Sequence, residues 1–137
     1  ENSDIVFKTK ALKVAKENVN NQNLNNRISC IKSDIFKNIT KKYDVIIAVP
    51  PQISKDEYKN KKESSPEPKI AYIANDDGFY FIKKILDKVS LYLKKDGILI
   101  METGVRLAKR VKENYNNINI KWLKFNGEDG ILKYVHQ

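Results

Sequence analysis

The run Val45-Ile46-Ile47-Ala48-Val49 stops abruptly at Pro50-Pro51. An unbroken apolar run of this length fits a buried strand, and neither proline can donate to a sheet ladder. A proline also pushes the residue before it towards extended backbone. Backbone groups at such a strand end are free to face a cleft, where open α/β sheets keep their ligands. The plain alternative is a strand followed by a proline-stiffened turn. A surface loop accounts for the prolines but not for the run before them.

Around this strand the pattern alternates as an α/β fold requires. Ile5 to Phe7 reads as a short strand. Ala11, Leu12, Ala15 and Val19 recur at helical spacing between Thr9 and about Asn20. Ile28 to Ile31 reads as the next strand, with Cys30 a small hydrophobe inside it, and Tyr43 to Val49 as another. Residues 54–69, polar and broken by prolines, read as a mobile loop. Asp76 or Asp77 caps a helix to about Lys94, whose inner face is Phe79, Ile82, Ile85, Leu86, Val89 and Leu93. Asp96-Gly97 turns into a strand from Ile98 to Glu102, and a helix spans Val105 to Tyr115. The chain closes with the strand Ile118 to Phe125, a turn at Glu128-Asp129-Gly130 and a strand from Ile131 to Val135. Trp122 and Phe125 read as core residues of that hairpin.

A length of 137 residues suits one domain with one core. No apolar run approaches the roughly 20 residues that span a bilayer, and no signal-peptide pattern opens the chain, so a cytoplasmic setting is expected. A lone Cys30 and a lone His136 form no disulfide and no zinc ligand set, so no metal is expected. His136, beside a terminus prone to fraying, also makes a Ser/His/Asp triad untenable. The formal charge is +9, yet nearly all of the positive charge is lysine; the arginines are Arg27, Arg106 and Arg110. Arginine is expected where phosphate or guanine is read bidentately, so the charge alone does not define a nucleic-acid surface.

Several segments carry a resemblance. Asp44 to Ile53 resembles the strand with an N-P-P-Y motif of class I AdoMet-dependent methyltransferases, in particular HemK-type protein-glutamine methyltransferases. Ala11 to Asn18 resembles their A-L-x-x-A-x-x-N helix, and Ser33-Asp34-Ile35-Phe36 their S-D-x-F turn. Glu67-Pro68 with Ala71, then Asp77-Gly78, resembles E-P-x-x-A-L followed by D-G-L. Leu93 to Gly104 resembles L-x-x-G-G-x-L-x-x-E-x-G, and Gly127 to Val135 the terminal hairpin. Nearly the whole chain is covered.

The resemblance implies a Rossmann-like sheet of strand order 3-2-1-4-5-7-6, an S-adenosylmethionine cofactor and methyl transfer to a planar amide or amine nitrogen. A protein glutamine is the first candidate acceptor, and a translation release factor is among the candidate partners. The acceptor site would be Val49, Pro50, Pro51 and Gln52; Asp34 would meet the adenine, and Ile35 would belong to the same cofactor site. The glycine-rich turn that follows the family's first strand is missing, so the cofactor site is incomplete in this chain. The expectation is either a fragment or a variant whose central strand comes from an N-terminal segment or a partner chain.

The chain departs from the motif at individual positions. Val6 stands where the family has the acidic ribose ligand; Asp4, out of register by two on the same strand face, substitutes for it only through a local bulge. Asp34 has a plainer role as a turn or cap residue. Val49 replaces a side-chain acceptor, leaving the backbone carbonyls of Val49 and Pro50 to orient the acceptor nitrogen. Gln52 replaces a stacking aromatic with a hydrogen-bonding amide. Glu102 is expected to support the fold, Asp77 to cap a helix, and Glu67-Pro68 to gate entry. Two alternatives stand beside protein methylation: an RNA or DNA base methyltransferase, which the lysine excess favours, and a non-catalytic interaction domain.

Overall fold

A computed structural model describes the backbone of residues 3–60 and 68–137. The chain forms two compact units, Glu1–Thr40 and Lys41–Gln137.

The first unit is built on helix α1, Ser3–Asn21. Leu12, Ala15 and Val19 are half-buried along one side of it, while Ala11 is exposed. Asn23 stands in left-handed backbone at φ 55. Its N–H donates to the Asn20 carbonyl and that of Leu24 to the Val19 carbonyl, so the helix ends in a Schellman motif built on asparagine. Ile5 to Phe7 lies inside α1, and 28–31 is irregular. Both were expected as strands. A strand needs a ladder partner, and none exists for either segment among the described residues; a helix satisfies its backbone groups internally. Ile28 and Ile31 are accordingly exposed rather than buried.

The second unit carries a four-stranded sheet of order β1-β2-β4-β3. Its strands are β1 (Tyr43–Ala48), β2 (Leu93–Glu102), β3 (Ile120–Phe125) and β4 (Glu128–Val135). β1 pairs parallel with β2, β2 antiparallel with β4, and β4 antiparallel with β3. This order reproduces the 4-5-7-6 half of the expected sheet. β2 begins five residues before the expected Ile98, because Asp96 at φ 61 and Gly97 form a turn inside it where the register with β1 shifts.

Helices α2 (Lys55–Asn60), α3 (Tyr80–Leu86) and α4 (Gly104–Asn114) complete the unit. α2 lies within the segment expected to be a loop; Glu67, the proposed gating residue, lies outside the described residues. The inner face expected for the helix after Asp77 is buried in full, from Phe79 to Leu93. The helix itself is shorter: α3 stops at Leu86, and a 3-10 turn at Val89–Leu91 leads into β2. Leu107, Ala108 and Val111 of α4 join this core together with Leu99, Met101 and Leu132 of the sheet, and α4 packs on β4. Burial of each Leu, Ile, Val, Met or Phe side chain among them contributes on the order of 1.5–3 kcal/mol.

On the sheet's other face, side chains of β1 are exposed. Val45 and Ile47 pair with Ile98 and Ile100 and so share their face, yet they remain 49% and 72% exposed. The expected buried strand is therefore exposed on one side. Among the described residues β1 is an edge strand, which accounts for the difference. His136 is held more firmly than its terminal position suggests: its N–H donates to the Gly97 carbonyl and its carbonyl accepts from Asp96 N–H.

Candidate functional site

The carboxyl ends of the parallel strands β1 and β2 lie side by side, with Ala48 opposite Met101. Open α/β sheets bind ligands at this end. Beyond β1, Val49 is 70% exposed and Pro50 is buried, with Pro51 and Gln52 half-buried. Among the described residues, neither the Val49 nor the Pro50 carbonyl accepts a loop hydrogen bond.

Gln52 is fastened at both of its polar ends. Its side-chain Nε2 donates to Glu102 Oε1 at 3.1 Å, and its backbone carbonyl accepts from Arg106 Nη2 at 3.1 Å. Glu102 thus supports the site by holding Gln52. The Gln52 Oε1 is buried without a partner among the described residues, a deficit of about 1–3 kcal/mol. Gly104 lies against it: a Cβ there would stand 3.2 Å from Oε1. Glu102, Gly104, Val105, Gly130 and Ile131 line an adjoining hollow of about 210 Å³, room for a small side chain.

Arg106, on the first turn of α4, is the hub of the site. Its Nε meets Glu57 Oε1 at 3.0 Å, and its Nη1 meets Asp77 Oδ2 at 2.8 Å. Nη2 donates to the Asp77 carbonyl at 3.0 Å as well as to Gln52. Asp77 is therefore an arginine partner rather than a helix cap. Phe79 takes the N-cap position of α3, with no side-chain capping bond. Asp76 behaves alike, pairing through Oδ1 with Arg110 Nη2 at 2.6 Å; the Arg110 guanidinium also lies 4.4 Å from the centre of the Phe79 ring. Left-handed backbone at Asp76, Asp77 and Gly78 presents these groups.

Two further contacts hold the loop after the prolines. Ile53 N–H donates to the Tyr72 carbonyl, and Ala74 N–H to the Ile53 carbonyl. Ser54 and Glu57 form a reciprocal capping box: Glu57 N–H donates to Ser54 Oγ at 3.1 Å, and Ser54 N–H to Glu57 Oε2 at 2.8 Å. The signature Ser54-Lys55-Asp56-Glu57 was present in the sequence and signals the start of α2. The convergence on Arg106 had no local signature.

The assigned cofactor residues all lie in the first unit. Asp4 and Val6 fall on α1, so the strand-face argument for Asp4 does not apply. In the turn, Ser33 Oγ donates to the Ile35 carbonyl and accepts from Asn38 N–H, with Ile35 at φ 53. Asp34 is exposed, and its carboxylate has no partner among the described residues. An unpaired acceptor fits an adenine amino group. With no glycine turn and no described ribose ligand, the residues present fit only that part of S-adenosylmethionine. Among the described residues no His, Cys, Asp and Glu cluster could hold a metal ion, and no helix is long and apolar enough to cross a membrane.

The four-stranded α/β sheet with a Pro-Pro loop at its carboxyl end is consistent with part of a Rossmann-like methyltransferase fold, and residues 4–63 match the family model "Methyltransferase small domain". Beyond that segment the chain is similar to glutamine methyltransferases. It is 36% identical over 125 residues to the ribosomal protein uL3 glutamine methyltransferase of Francisella tularensis, covering 89% of this chain and 40% of that protein. It is 36% identical over 105 residues to the release factor glutamine methyltransferase of Streptococcus pneumoniae, covering 75% of this chain and 37% of the relative. The corresponding Haemophilus influenzae enzyme is 33% identical over 100 residues, covering 72% and 34%. The chain thus spans about 40% or less of the length of these relatives.

Proposed function

We propose that this chain contributes the acceptor site of an S-adenosylmethionine-dependent methyltransferase acting on the side-chain amide of a protein glutamine. One observation carries the reading: the Val49 and Pro50 carbonyls stand at the carboxyl end of β1 on a loop tied down at Gln52. The similarity to glutamine methyltransferases supports the same substrate class. Ribosomal protein uL3 and release factors, named for the relatives, are the first proteins to test.

An amide nitrogen is a poor nucleophile because its lone pair is delocalised into the carbonyl. Carbonyl oxygens that accept its N–H groups hold the nitrogen in place and stabilise the positive charge that grows there during transfer. Val49 has no side-chain acceptor, so the backbone supplies this function. The hollow beside Glu102 receives the acceptor side chain or its neighbour. Asp34 is assigned to the adenine and Ile35 to the same cofactor site. The cofactor supplies an electrophilic methyl on a sulfonium, and the nitrogen gives up one proton to solvent.

The test is incubation of the purified protein with labelled S-adenosylmethionine and candidate proteins, followed by peptide mass spectrometry. One methyl group on a glutamine supports the reading. Label in RNA or DNA favours base methylation, and no label with any acceptor favours an interaction domain or a cofactor site completed by a further segment or partner chain.

A further inference from the structure

We infer that Arg106 is a positioning residue, which sets the direction of the Val49 and Pro50 carbonyls by clamping Gln52. The inference rests on the methyltransferase reading for its catalytic consequence, but the clamp itself is structural. Between Ala48, held in the ladder by Met101, and Gln52 stand only Val49 and two prolines. Proline locks φ near −65°, so few torsions remain free between the two anchor points. Fixing the Gln52 carbonyl therefore fixes the carbonyls before it.

Arg106 is suited to this because its contacts come from three separate segments: Gln52, the Asp77 turn and Glu57 on α2. The planar fork serves all of them at once, which the single ammonium of lysine cannot. Glu57 also closes the Ser54 capping box, so the clamp reaches both sides of the loop's exit. The close approach is possible because residue 78 is glycine: a Cβ there would lie 2.2 Å from the Gln52 carbonyl oxygen and 2.7 Å from Arg106 Nη2. Single surface ion pairs contribute about 0–1 kcal/mol. The role of this network is accordingly geometric, and its loss is expected to move activity more than stability.

The experiment compares wild type, Arg106→Lys and Asp77→Asn by hydrogen exchange and steady-state kinetics. Arg106→Lys keeps the charge but loses the fork; Asp77→Asn keeps the backbone acceptor and weakens only the Nη1 contact. Expected for Arg106→Lys is faster exchange in the 52–57 segment with α4 and β2 unchanged, and kcat lower by about tenfold to a hundredfold at unaltered KM. Asp77→Asn shifts both readouts in the same direction by less. Unchanged exchange at 52–57 in folded Arg106→Lys overturns the clamp. Faster exchange with unchanged kcat overturns the positioning role. If Arg106→Lys does not fold, Asp77→Asn decides by the same two readouts. Absence of turnover in wild type counts against the methyltransferase reading, while exchange still decides the clamp.

Discussion

The side-chain amide of Gln52 and the carboxylate of Glu102 meet at 3.1 Å, joining the loop after β1 to the last residue of β2. The same amide leaves its own oxygen buried and unpaired. A bond and a deficit thus reside in one side chain, and substitutions at the two ends have unequal effects.

Glu102→Ala removes the only partner that the Gln52 side chain has among the described residues. The expected loss is about 1–2 kcal/mol in chemical denaturation. Gln52→Leu deletes the bond and the orphaned oxygen together and is expected to be within about 0.5 kcal/mol of wild type. Equal losses from both substitutions would contradict this account of the pair.

Gly78→Ala meets two obstacles. The residue stands at φ 86, and its added methyl would lie 2.2 Å from the Gln52 carbonyl oxygen. Left-handed backbone and a forced shift together are expected to cost about 2–4 kcal/mol, read as a fall in the denaturation midpoint. Gly127→Ala, at φ 85 with nothing within 4 Å of the new Cβ, carries only the backbone penalty and is the control.

Ser54→Ala opens the capping box at the start of α2. About 1 kcal/mol of helix stability is lost. Amide exchange across Lys55–Asn60 reports it directly, and the sheet is expected to exchange as before.

Tyr115 and Asp87 predict a pH window. Burial, then the hydrogen bond to Asp87, raises the Tyr115 phenol well above its ordinary value. Burial pushes Asp87 upward, but hydrogen bonds from Lys83 and Tyr115 outweigh it and hold the carboxyl below its ordinary value. A raised Tyr115 favours folding fully below pH 10.0 and loses that contribution as pH rises through the folded value. A lowered Asp87 contributes above pH 3.8 and loses its contribution as pH falls through the folded value. Tyr115→Phe removes the 2.6 Å bond to Asp87. It is expected to cost about 1 kcal/mol near neutral pH, with the gap to wild type closing at both extremes in denaturation curves.

The core was the most legible part of the chain. Phe79, Ile82, Ile85, Leu86, Val89 and Leu93 were assigned to one buried face from spacing, and all are buried although the helix ends at Leu86. Apolar periodicity reports which side chains leave water, and a 3-10 turn after a short helix can keep them on one side. The Pro-Pro boundary of β1 was legible for the same local reasons, but the hairpin turn was misplaced: it lies at Asn126-Gly127, both in left-handed backbone, and Glu128 to Gly130 belong to β4. Ile5 to Phe7 and Ile28 to Ile31 were misread as strands because β character depends on a ladder partner, which a one-dimensional pattern does not contain.

At the site, the sequence by itself determined which chemistry was available: two prolines that restrict a loop, a valine without an acceptor at residue 49, an amide in place of an aromatic ring at 52, and a capping box at Ser54 and Glu57. Only the tertiary structure decided how these groups are held. Asp77 pairs with Arg106 across 29 positions of sequence, and Gln52 is bound by a guanidinium 54 positions away. Such pairings follow from the first turn of α4, which starts two residues after β2 and whose Arg106 reaches the loop after β1. They are made by polar groups whose partners are set by distance in space, which no spacing along the chain encodes.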